Sequence, residues 1–148
     1  MVTLKVRPPA DFLARAVRAA DRWRALDRDG GDACRAAARI LQRLGERELG
    51  WDYLTTPVGL RPNEAAPWLG LAETLGQKGE LDLADRAYAA AFEAEPTNAQ
   101  ILWDRAQNLR QAGQSVEAAR LLRQIAEGRW QPRFTWLQTQ AKWQLERP

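Results

Sequence analysis

Self-similarity at a fixed interval of 34 residues constrains this chain more than any other feature. A step of that length from Gly45 lands on Gly79 and Gly113, and from Leu41 on Leu75, Leu109 and Trp143. Ala38 leads to Ala72 and Ala106; Cys34 leads to Trp68, Leu102 and Trp136; Pro62 leads to Pro96. Further along each interval stand Gly50, Ala84 and Ala118, then Leu54, Tyr88 and Leu122. No insertion or deletion disturbs the register. A period of this length marks a supersecondary unit that cannot bury its apolar face alone and must stack on its neighbours.

The columns specify what the unit is. The glycine column ends a helix, because a left-handed residue there has no Cβ to clash. The alanine columns let two helices approach closely, and the large apolar columns fill the space between neighbours. The prolines close the second helix, since proline cannot donate to the helical ladder. Helices are therefore expected near 9–28, 31–45, 47–57, 64–78, 81–94, 98–112, 115–127 and 133–146, the third cut short or kinked by Pro57. Phe12, Leu13, Ala16, Val17, Ala20, Trp23 and Leu26 form an apolar stripe on the first of them. Val2, Leu4 and Val6 alternate ahead of Pro8-Pro9 as a short extended arm.

With Trp68, Leu71, Ala72, Leu75, Gly79, Ala84, Tyr88, Ala91 and Pro96 in place, residues 65–98 resemble the tetratricopeptide repeat (TPR). Residues 99–132 follow through Leu102, Ala106, Leu109, Gly113, Ala118, Leu122 and Ile125, departing at Arg105, where leucine is expected, and at Trp130, where proline is. The resemblance implies an all-α fold, a right-handed α-α superhelix of about eight helices. It divides the chain into an arm over 1–10, an N-terminal helix over 11–30, a degenerate repeat over 31–64, repeats over 65–98 and 99–132, and a capping helix over 133–148.

Composition removes most chemistry. Histidine is absent and Cys34 is the only cysteine, so there is no Ser–His or Cys–His pair, no internal disulfide and no multi-cysteine zinc site. Cys34 stands in a packing column and reads as an inert core thiol. The stretch Asp27-Arg28-Asp29-Gly30-Gly31-Asp32 lacks the spacing and closing glutamate of a calcium loop and reads as a turn before a helix. No metal, cofactor or catalytic residue is expected, and the chain reads as a non-enzyme. Charge is uneven: residues 1–50 carry 11 Lys/Arg against 7 Asp/Glu, residues 51–98 carry 3 against 8, and residues 99–148 carry 8 against 4. A nucleic-acid binder more often shows one uninterrupted basic surface, so nucleic acid is not the expected partner, although the arginines of 15–47 offer a route to it.

In the family it resembles, the first helix of each pair lines a concave groove. That implication places Arg35, Arg39 and Gln42, then Leu69, Glu73 and Gln77, then Trp103, Gln107 and Arg110 on one surface. Leu69 and Glu73 stand where a clamp for chaperone C-termini would need polar or basic groups, so that ligand is not expected. The partner-binding residues expected are Arg35, Arg39, Glu73, Trp103, Gln107 and Arg110. Arg35 and Arg39 lie one turn apart and can fork onto a carboxylate. Trp103, beside the packing residue Leu102, is expected off the core, so that Trp103→Ala weakens binding at little cost in stability.

The function expected is a scaffold that binds a protein or peptide partner in its groove. The alternative is a structural or self-associating segment of a larger protein, dimerising through 133–146. No apolar run is long enough to span a membrane and no leader is visible. The chain reads as cytoplasmic, or periplasmic as a piece of an exported protein, and its Ala/Arg-rich composition suits a bacterial source.

Overall fold

A computed structural model describes residues 10–26 and 31–147. The arm expected over residues 1–9 and the turn at 27–30 lie outside them. The described residues are all-α: eight α-helices and one 3-10 turn, with no strand among them. The chain divides into two compact units, Met1–Leu60 and Arg61–Pro148.

In the first unit α1 (Ala10–Leu26) packs on α2 (Asp32–Arg43), and α2 pairs with α3 (Arg47–Leu60). The core is small residues with a few large ones: Ala33, Cys34, Ala37, Ala38 and Leu41 from α2 meet Tyr53, Leu54 and Val58 from α3. Gly50 stands so close to α2 that a Cβ there would lie 3.3 Å from the Ala38 carbonyl oxygen. Tyr53 ties α3 to α1, its hydroxyl donating to the Asp21 carboxylate while Arg24 lies 4.8 Å over its ring. Burial, then that carboxylate, push the Tyr53 phenol up to about 12.

Pro57 does not cut α3 short. The helix does not stop there but continues to Leu60. Only one N–H is lost from its ladder, and the Thr55 and Thr56 hydroxyls bind back to the carbonyls of Trp51 and Asp52.

In the second unit α4 (Ala65–Gln77) pairs with α5 (Leu81–Ala94), α5 with α6 (Ala99–Gln111), α6 with α7 (Ser115–Glu127), and α7 with α8 (Thr135–Glu146); α8 also touches α6. Each helix packs on its sequence neighbour, as hairpin stacking requires. Ala99, Leu102, Ala106, Leu109, Ala118, Leu121, Leu122, Ile125, Phe134, Leu137 and Ala141 form one buried cluster.

The glycine column does what its spacing predicts. Gly45, Gly79 and Gly113 have φ of 84°, 80° and 78°, and the residue after each donates to the carbonyl five positions back, at Leu41, Leu75 and Leu109. These are Schellman turns, satisfying helix-end carbonyls by backbone alone. The end of α7 is built differently. Gly128 is extended, at φ −72°, and the Trp130 indole N–H and the Gln138 amide both donate to the Ile125 carbonyl, at 3.0 and 3.2 Å. A Cβ on Gly128 would stand 2.4 Å from the Trp130 nitrogen.

Several aromatic residues read as core are on the surface. Trp23 of the α1 stripe is exposed, as are Trp136 and Trp143 of the repeat columns.

Candidate functional site: a groove between α4 and α6

Side chains three and four apart share a helix face. On α4 this brings Glu73, Gly76 and Gln77 together, and on α6 it brings together Asp104, Gln107, Asn108 and Gln111. The two faces bound a groove of about 520 Å³, and Tyr88 of α5 reaches it from beneath. Gly76 leaves room for the Asn108 side chain, whose Oδ1 lies 3.7 Å from where a Cβ would be.

The hydrogen bonding of the groove is one-sided. Asn108, only 7% exposed, spends its amide N–H on the Leu81 carbonyl at 2.9 Å. Gln107 donates to Gln144 of α8 at 3.2 Å and accepts from Arg110 at 3.3 Å. Asp104 accepts from Gln100 at 2.9 Å through one oxygen. The other Asp104 oxygen, the Glu73 carboxylate and the Tyr88 hydroxyl have no hydrogen-bond or ion-pair partner among the described residues.

Electrostatics follow from the burial. Desolvation raises the Asp104 carboxyl above the ordinary range; the Gln100 hydrogen bond opposes this and the nearby Glu73 charge adds to it. Desolvation first, then Asp104 and Glu73, push the Tyr88 phenol up to about 12. Asp104 is half-buried and Glu73 exposed, and neither has an ion-pair partner among the described residues.

Behind the groove, the Arg105 guanidinium meets Asp85 of α5 through Nε at 2.6 Å and Nη2 at 3.2 Å. This explains why arginine stands where the repeat pattern has leucine: packing is replaced by a two-pronged, half-buried ion pair.

Of the residues expected to bind a partner, the groove brings together Glu73 and Gln107. Arg110 lines a neighbouring recess of about 430 Å³ with Ser115, Leu122, Arg123 and Gln144. Trp103 lies outside this groove: it is half-buried and packs against the core cluster built from α6, α7 and α8. Arg35 and Arg39 belong to the first unit; Arg35 pairs with Asp32 on its own helix, and Arg39 is exposed. Sequence reasoning missed Asp104, Asn108 and Tyr88. The available signal was the column Leu54, Tyr88, Leu122, where only the middle member carries a hydroxyl.

Among the described residues no group of three or more potential metal ligands converges, and no helix is long and apolar enough to cross a membrane. No protein-family model matches the sequence, and no curated protein sequence does. Among solved structures the chain is similar to the type III secretion translocator chaperone SycD of Yersinia enterocolitica. The TM-score is 0.57 at 23% identity, over 76% of this chain and 79% of that one. The likeness is one of fold.

Proposed function

We propose that the chain is a TPR-type α-solenoid that holds a segment of another protein in the α4–α6 groove and catalyses nothing. Three repeats over 31–64, 65–98 and 99–132, followed by the 133–148 cap, are the units of this reading. One observation carries it: successive first helices, α4 and α6, present a preformed groove whose lining groups are held in place while several acceptors stay uncommitted. A rigid groove lowers the ordering cost on the protein's side of a complex. The fold it shares with a secretion chaperone supports a protein partner, as does the absence of histidine and of any cysteine beyond Cys34. Selection of a random dodecapeptide library on the full chain tests the reading. Selected segments should shift backbone amide resonances of α4 and α6 and lose at least tenfold in affinity to Gln111→Trp, which fills the groove with bulk. Segments that bind with neither effect would refute it.

A second reading, self-association through α8, rests on Trp136 and Trp143. In the preceding units their columns hold the buried Leu102 and Leu109, but on α8 they are 56% and 50% exposed. A concentration-dependent dimer in light scattering, dissolved by Trp136→Ser, would select this reading.

A further inference from the structure

We propose that the α4–α6 groove contains a subsite for one basic side chain, arginine or lysine, of an extended partner segment, seated between Glu73 and Asp104 over the Tyr88 hydroxyl. The inference rests on the scaffold reading and names the chemistry that the groove selects.

Three observations converge on a cation. The charged groups that line the groove are both acceptors. The Asn108 and Gln107 amide nitrogens are already engaged, on Leu81 and Gln144, while the Glu73 carboxylate and the second Asp104 oxygen remain open. A guanidinium brings five N–H donors and an ammonium three, with no acceptor to clash. Tyr88 is the second observation. It is only 9% exposed and lines the groove, yet its hydroxyl makes no hydrogen bond among the described residues. The hydroxyl oxygen itself is not sealed from solvent, so it can accept from a donor that enters the groove. Third, the charge around the groove matches. Glu73 and Asp104 are the charged residues among those that line the groove, and both are acids, in a chain of net charge +3. Burial that penalises the Asp104 charge is relieved when a cation enters beside it.

The alternatives fit less well. Two carboxylates without a third ligand do not make a metal site. Phosphate-bearing partners would meet like charge.

The test pairs two probes that differ only in charge: the capped pentapeptide Ac-Ala-Ala-Arg-Ala-Ala-amide and the same peptide with citrulline in place of arginine. They are titrated into the full chain and read by backbone amide chemical shifts. The arginine peptide should move Gln77, Tyr88 and Asp104 in a saturable way, with citrulline at least tenfold weaker. Glu73→Gln/Asp104→Asn should abolish the difference, and Tyr88→Phe should weaken arginine binding about threefold. Glu127→Gln, an exposed acid at the end of α7, should leave it unchanged. The same spectra show that each variant is folded. Equal binding of the two peptides, or arginine binding unaffected by the double variant, overturns the subsite. Selected dodecapeptides that occupy the groove without a basic residue would also overturn it while leaving the scaffold reading intact. An arginine-selective groove that no selected segment occupies would do the reverse.

Discussion

Asp104 shows how a single carboxyl can work against the fold that holds it. Its folded-state pKa lies above the ordinary value because burial disfavours the charge, with Glu73 adding to the effect. The folded state therefore binds the Asp104 proton more tightly than the unfolded chain does. Stability from this group is full at low pH and is lost as pH rises past the ordinary carboxylate value through the folded one. Asp104→Asn keeps an acceptor for Gln100 and removes the charge. It should raise the melting temperature at pH 7, and the gain should vanish below the ordinary carboxylate pKa. A lower melting temperature at pH 7 would refute this account. Trp103 makes the opposite point. Because its ring packs against the α6–α8 cluster, Trp103→Ala should cost about 1–3 kcal/mol in denaturant unfolding; a cost near zero would return the residue to the solvent edge. Gly128 tolerates nothing larger: a Cβ would collide with the Trp130 ring and the Gln124 carbonyl. Gly128→Ala should therefore destabilise by about 2 kcal/mol or more and displace the indole, which tryptophan fluorescence would report.

Among the helices, the sequence was most legible where a rule is local. The helix ends at Arg43, Gln77 and Gln111 fall where the glycine column puts them, since a Schellman turn needs only backbone and one residue without a Cβ. Pro57 was over-read. One missing donor weighs less than the packing of Tyr53, Leu54 and Val58 on α2, and tertiary contacts outrank a local breaker. Arg105 could not be read from its position, because the reason for it is Asp85, 20 residues earlier and on another helix. A double-mutant cycle through Arg105→Leu and Asp85→Ala should give a coupling of about 1–2 kcal/mol. Arg105→Leu alone should destabilise, because it strands a half-buried carboxylate. No measurable coupling would make the pair ornamental. The groove was half legible for the same kind of reason. Glu73 and Gln107 follow from which helices face it, whereas Tyr88 enters from the helix behind, and periodicity alone assigns it to packing.

At the scale of the molecule, the fold class followed from the interval itself, because the repeat demands stacked hairpins before any side chain is considered. What the interval did not reveal was the exposed aromatic surface. Columns that are buried mid-array become surface on α8, and an indole at an end looks identical in sequence to one inside. Phe134, Leu137 and Ala141 nevertheless close the second unit's core. Truncation after Gln131 should lower unfolding free energy by several kcal/mol, at about 1.5–3 kcal/mol for each large buried side chain lost; a shortened chain of unchanged stability would show that α8 is dispensable. The matching Schellman turns after α4 and α6 carry one more consequence. The turn inside the α4–α5 hairpin and the turn inside the α6–α7 hairpin share one backbone geometry 34 residues apart, so the helix pair is the unit by which such an array can grow. A tandem copy of 65–98 spliced in after Asn98 would bring its own internal turn and should lengthen the acid-lined trough by one more helical pair.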